Sequence, residues 1–398
     1  MKTAAKSVSE TSTVINPGQT RVPATTISFD GTWHKRGHSS HFGVGVVIDC
    51  KTGFVLDYQV LSNYCHGCEV GLKSGDEQYL LWKNKHQLKC QQNFQGSAKA
   101  MEAEAAVTIF RRSVQHRGLV YSRMLCDGDA RSHQLINTKG IYDFEVIKED
   151  CINHISKRRF NALENTKNSN KKELNRKLTK TKIEKITNTY ATNLKQNAPD
   201  TEQVQSDVYG GIYHMLSTDD NPQHHLCPTG ISSWCHFQRA LATKEEPRKH
   251  TPTITEDVAK FVWPVVERLT RPDVLKRCVS MQTQNANECF NSLIWSRCTK
   301  TRFASLRSVE TATALSVLAF NCGPSGLFAV LEALNIPVGG SHHKHQARKT
   351  GNKLKSAMKC RKRASKWGRK DQKGQRLQLE KKRQQEEGDL YEAGAFNL

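Results

Sequence analysis

The stretch Ile27-Ser-Phe-Asp30-Gly-Thr-Trp-His34 decides the reading of this chain. An apolar, β-favouring run carries one carboxylate, and a Gly follows at once. Two more acidic centres lie far downstream, at Cys126-Asp127-Gly128-Asp129 and at Asn285-Ala-Asn-Glu288. Oxygen ligands of this kind suit divalent cations of the Mg²⁺ class, so Asp30, one of Asp127 and Asp129, and Glu288 form a candidate acidic metal-binding triad. The bland alternatives are a turn for Asp30, a helix cap for Asp127 or Asp129, and a surface charge for Glu288.

Around Asp30 the chain reads as a meander. Thr26–Trp33, Gly43–Asp49 and Phe54–Leu61 are β-rich runs joined by turn-rich segments, with Cys50-Lys-Thr-Gly53 as a tight turn. Gly96–Gln115 has strong helix formers, with Ala103, Ala106, Val107 and Phe110 on one face. A strand over Leu119–Cys126 ends at Asp127, a helix is expected from about Ala130, and Tyr142–Ile147 alternates as a last strand. Helical crossovers make those later strands parallel to the first. Residues 1 to 24 are polar, with Pro17, Gly18 and Pro23, and are expected to form a disordered arm.

Cysteine usage points to zinc. The chain holds 13 Cys, and several cluster with His at short spacings. Cys65-His-Gly-Cys68 followed by His86-Gln-Leu-Lys-Cys90 supplies a knuckle pair and a helical pair, a structural Zn²⁺ spacing. His66 is an alternative to His86. A second cluster offers Cys151, His154, His225 and Cys227 as ligands, from a set that also includes His224, Cys235 and His236.

Beyond Cys151 a helical region is expected to about residue 280. Leu174, Leu178, Ile183, Ile186, Tyr190 and Leu194 recur at amphipathic spacing beside a Lys-rich face. Pro264 is expected to kink or divide the helix over 252–277. Thr283–Trp295 reads as a helix with Glu288 in its first turns, and Val309–Phe320 as another.

The formal charge is +22 over 398 residues, with 37% hydrophobic residues. Such a balance favours a polyanion partner, nucleic acid first. No stretch is apolar enough to span a bilayer, and the N-terminus lacks a signal-peptide core. From Ser341 to Arg383 there are 17 Lys or Arg against two acidic residues, so +15 of the charge sits there. Lys359, Arg361, Lys362 and Arg363 have nuclear-localisation character and can neutralise phosphates, and residues 341–398 read as a disordered basic tail.

Asp-Gly-Thr-Trp at 30–33, Leu-Ser-Asn-Tyr-Cys at 61–65, Asp-Gly-Asp at 127–129, Cys-x2-His at 151–154 and Thr-Gln-Asn-Ala-Asn-Glu at 283–288 occur in order. Together they resemble the Mutator-like transposases of animals, from about residue 26 to 323. The resemblance implies an α/β ribonuclease H-like fold: a core in two parts, 25–150 and 281–325, split by an all-helical insertion over 151–280. It implies cut-and-paste transposition of double-stranded DNA by an Asp-Asp-Glu triad with Mg²⁺ or Mn²⁺. Asp30 would bridge two ions, Asp127 would bind one and Glu288 the other, while Cys151 and His154 match the family's Cys-x2-His motif. It also implies a homo-oligomer acting on two ends in the nucleus. Fewer residues precede the first catalytic strand than such transposases usually carry. The alternatives are a domesticated or decayed copy acting as a zinc-stabilised nuclear DNA-binding protein, and a nuclease acting on RNA or hybrids.

Overall fold

A computed structural model describes residues 1–10, 12–15, 22–35, 40–127, 131–197, 200–341, 344, 345, 347, 348, 351 and 352. Asp129 and the basic positions Lys359, Arg361, Lys362 and Arg363 lie outside them. The chain divides into two units, Met1–Asn321 and Cys322–Leu398. In the second, the α-helix Pro324–Ala333 is described, with Pro at its first position where the missing N–H costs nothing.

The first unit is built on a mixed sheet. Its strands are β1 (Thr13–Ile15), β2 (Val22–Trp33), β3 (Phe42–Asp49), β4 (Val55–Ser62), β5 (Val120–Cys126) and β6 (Ile147–Asp150). The order is β4-β3-β2-β5-β6, with β1 also paired to β2. β2, β3 and β4 run antiparallel, whereas β5 and β6 run parallel to β2. The central strand β2 carries Asp30.

Helices cover both faces of the sheet. Two short helices, α2 (His66–Val70) and α3 (Tyr79–Gln87), follow β4; on one side of the sheet lie α1 (Lys2–Ser9), α4 (Ala98–Arg117) and α5 (Arg131–Thr138), and Phe29, Val47 and Leu56 pack there with Val107, Phe110 and Leu119. On the other lie α13 (Asn285–Arg297) and α14 (Leu306–Cys322), where Val44, Val46 and Ile48 meet Phe290, Ile294 and Val309. Side chains alternate across a strand, so β3 feeds both layers and every one of its residues is buried. Each such aliphatic or aromatic side chain contributes about 1.5–3 kcal/mol on burial.

Two expectations are corrected. The N-terminal arm is not wholly irregular: α1 buries Ala4, Ala5 and Val8 against the α4 side of the sheet, and β1 pairs with β2. The last strand is Ile147–Asp150, not Tyr142–Ile147. Tyr142 instead packs on Phe110, stacks with Phe144 and places its hydroxyl 2.7 Å from Ser113 Oγ, so the alternation there serves a loop lid on the core.

Between β6 and α13 come α6 (Ile152–Ser169), α7 (Lys171–Leu174), α8 (Lys180–Asn197), α9 (Thr201–Leu216), α10 (His236–Thr243), α11 (Glu256–Leu269) and α12 (Pro272–Lys276). They have a separate core, with the expected stripe from Leu174 to Leu194 wholly buried in it. Arg159 is buried there, its guanidinium 4.2 Å from the centre of the Tyr190 ring. Pro264 does not divide its helix, since α11 runs through it. The insertion leaves and returns at one place: the Asp150 amide donates to Arg277 O at 2.8 Å, and the Gln284 amide contacts Cys151 Sγ at 3.4 Å.

Candidate active site and metal centres

The pairing of β2 with β5 ends at Ser28 opposite Leu125. Two residues further along each strand stand Asp30 and Asp127. Carboxyl ends of parallel strands are where open α/β sheets bind ligands. Both residues line a cleft of about 370 Å³ with Gly31, Trp33, Lys99 and Glu102.

A row of side chains on α13 and at its start fastens that helix along β2. Gln284 Nε2 donates to Phe29 O at 2.9 Å, Asn287 Nδ2 to Ser28 O at 3.3 Å, Asn291 Nδ2 to Asp30 Oδ2 at 2.8 Å, and Trp295 Nε1 to Thr32 Oγ1 at 2.8 Å. Steps of three, four and four place all four groups on one helical face. Glu288, in the first turn, is thereby carried to the Asp30 end of β2. The sequence reading missed this row, although its spacing was visible.

His154, from the first turn of α6, lies between the other two carboxylates. Its Nδ1 is 3.4 Å from Asp127 Oδ1 and its Nε2 is 3.8 Å from Glu288 Oε1. Its hydrogen bond with the Cys151 thiol, then the nearby charges of Asp127 and Glu288, raise its pKa to about 9 despite burial. Burial opposes the Cys151 thiolate, but His154 and the Gln284 amide outweigh it and lower the thiol from its ordinary value. Cys151 and His154 thus belong to the acidic centre and do not join the second His/Cys cluster. Burial pushes Asp30 up to about 6, against the Asn291 hydrogen bond that favours the carboxylate.

The residues present suit a hard divalent cation. Their donors are carboxylate oxygens, and the Asn291 Oδ1 beside Asp30 is buried without a hydrogen-bond partner.

Cys65, Cys68, His86 and Cys90 come together, with their ligand atoms within 4.8 Å of one another, a set that could hold zinc. Cys65 Sγ and Cys68 Sγ lie 3.4 and 3.1 Å from His86 Nε2, so His86 and not His66 completes the set. Gly67 makes room for this: a Cβ there would stand 2.4 Å from His86 Cε1. Trp82 stacks on the imidazole at 4.8 Å. Desolvation works against the Cys65 thiolate, but the Gln91 and Cys68 amides more than offset it and lower its thiol.

The second cluster is His214, His224, Cys227 and Cys235, also able to hold a metal. Of the four ligands singled out from sequence only Cys227 belongs to it; His224 and Cys235 come from the wider set named there, and His214 was not foreseen. His225 turns away and packs its ring 5.0 Å from that of Tyr213.

Residues 1–235 match the model of the Mutator-like transposase family. The chain therefore belongs to the Mutator-like transposase family, a class of enzymes that bind DNA and cleave nucleic acid with divalent metal ions. Comparison with curated proteins and with solved structures gave no match. Asp30 and Asp127 fall inside the matched residues and Glu288 beyond them. Among the described residues no helix is long and apolar enough to cross a membrane.

Proposed function

We propose that the chain is a DNA transposase that cleaves phosphodiesters with an Asp30–Asp127–Glu288 triad on a ribonuclease H-like core. The observation that carries this reading is the fastening of α13 along β2, which brings Glu288 to the strand ends that bear Asp30 and Asp127. The sheet order, with three antiparallel strands followed by two parallel ones, supports the core assignment. The two-part core split by a helical insertion, expected from sequence, follows the same element order.

Asp30, Asp127 and Glu288 would hold Mg²⁺ or Mn²⁺, and two such ions supply an activated water or 3′-hydroxyl and a stabilised leaving oxygen. Asn291 holds the Asp30 carboxylate in one orientation. His154, carrying a proton at neutral pH, balances Asp127 and Glu288 when no cation does so. The knuckle at 65–90 would be a structural Zn²⁺ site. Lys171, Lys172, Arg176, Lys180 and Lys185 are exposed on the insertion, and with the Lys359–Arg363 run they offer phosphate contacts on double-stranded DNA. That run also supports nuclear import, and two-ended cutting calls for a homo-oligomer.

Supercoiled plasmid carrying the element's ends, incubated with Mg²⁺ and then Mn²⁺, tests the reading. Wild type is expected to nick or linearise it, and Glu288→Gln to do neither while still shifting the plasmid on a gel. Equal nicking by both proteins would remove Glu288 from the site. Binding without cutting by wild type would favour the non-enzymatic DNA-binding reading.

A further inference from the structure

The helical insertion contains residues 217–235, an irregular run between α9 and α10. Irregular segments of this length are uncommon inside compact folds without something to hold them. The run starts at the buried Ser217 and ends at the fully buried Cys235. We propose that His214, His224, Cys227 and Cys235 form a second tetrahedral Zn²⁺ site that clips this run onto the end of α9.

The donors converge on one point. His214 Nδ1 and His224 Nδ1 face each other at 3.2 Å. Cys227 Sγ lies 3.7 and 3.9 Å from those two nitrogens, and Cys235 Sγ lies 3.5 Å from His224 Nδ1. Two thiolates and two imidazoles in a tetrahedral set select zinc over harder cations. With Zn²⁺ the cluster is electrically neutral, which allows its burial; two isolated thiolates could not be buried there.

The surroundings are arranged for ligation. The other nitrogen of His224, Nε2, lies 2.9 Å from the buried Ser217 Oγ, and that oxygen accepts a bond from the Gln223 amide at 3.0 Å. A proton on Nε2 donated to Ser217 leaves the Nδ1 lone pair aimed at the thiols, the usual outer-shell device for a metal-binding histidine. Phe237 stacks on His224 at 4.4 Å and Trp234 packs edge-on against His214 at 4.9 Å, fixing both rings. Gly210 lets the run approach α9: a Cβ there would stand 2.6 Å from Leu226 O, a backbone atom that cannot swing aside. His236 and His250 stand just outside the set and engage each other, His250 Nδ1 to His236 Nε2 at 3.1 Å.

The site is independent of DNA cleavage, so a zinc count on the purified full-length chain tests it apart from the catalytic proposal. Wild type is expected to hold two zinc ions per chain. Cys227→Ser with Cys235→Ser should hold one, and Cys65→Ser with Cys90→Ser should also hold one. His236→Ala and His250→Ala should each keep both. X-ray absorption at the zinc edge needs no variant: five thiolates and three imidazoles shared by two ions average 2.5 sulfur ligands per zinc, whereas the knuckle alone gives three. One zinc in wild type with three sulfurs, or two zinc ions retained in Cys227→Ser with Cys235→Ser, overturns the proposal. Loss of a zinc in His250→Ala moves the ligands to the outer pair and overturns this set.

Discussion

Replacing Asp30 by Asn is expected to lower Mg²⁺-dependent DNA cleavage at least about a thousandfold, because losing a metal carboxylate removes several kcal/mol of transition-state charge stabilisation. Duplex affinity should stay within about threefold, since it is spread over many phosphate contacts. The substitution isolates charge from shape. Asn keeps an oxygen able to accept from Asn291 Nδ2, so the bond that anchors α13 survives. It also removes the cost of burying a carboxylate, the cost that pushes Asp30 up to about 6, so the variant should be no less stable than wild type. Cleavage rates and filter-binding affinities measured on one preparation check this. Parallel loss of binding and cleavage would make Asp30 a structural residue.

Asp150→Asn is expected to destabilise the chain by about 2 kcal/mol at neutral pH, because a buried carboxylate's charge-assisted bonds to three half-buried cations are exchanged for neutral ones. Asp150 is fully buried at the end of β6. Its oxygens lie 3.0 Å from Lys148 Nζ, 3.0 Å from Arg277 Nε and 3.8 Å from an Arg158 nitrogen. Burial works to raise its pKa, but Lys148, Arg277 and Arg158 outweigh it and hold the group below 3.8. The folded value is therefore depressed, so the ion pairs stabilise fully above the unfolded pKa and fade as pH falls through the folded one. Urea unfolding of wild type and variant should show a gap at pH 7 that narrows below pH 3.8. A gap that does not change with pH would mean that packing, not charge, sets the cost. The same variant should slacken the junction where the insertion returns to α13, because Arg277 joins Asp150 through both side chain and backbone.

The sheet was legible because its signals are local. Val44 to Ile48 is an apolar run and Val55 to Leu61 a β-favouring one, both bounded by turn residues, and their strands fall within a residue of expectation. The Cys65, Cys68, His86 and Cys90 set was legible for the same reason, since its donors come from one tight pair and from the end of the helix Tyr79–Gln87 and the residues just after it. The second cluster was not. Its ligands come from the end of α9, an irregular run and the start of α10, and adjacent His224 and His225 are separated only by which way the backbone turns them. Cys151 and His154 carry a metal-like spacing, yet tertiary packing spends them on Gln284, Asp127 and Glu288. α1 escaped because Ala4, Ala5 and Val8 are too few and small to mark an apolar face before α4 and the sheet are there to receive them. Tyr142 to Ile147 alternates like a strand, but its aromatics are anchored by Ser113 and Phe110 before any ladder begins.

Iron-directed backbone cleavage reads directly whether Asp30, Asp127 and Glu288 hold one divalent metal centre. Fe²⁺ substituted for Mg²⁺ generates hydroxyl radicals with ascorbate and peroxide, and these cut the peptide chain beside the bound ion. Cuts are expected to cluster near residues 30, 127 and 288, to be suppressed by excess Mg²⁺ and to be lost at all three places in Asp30→Asn. Cuts near 30 and 127 without 288, or cuts that Mg²⁺ does not suppress, would contradict one shared centre.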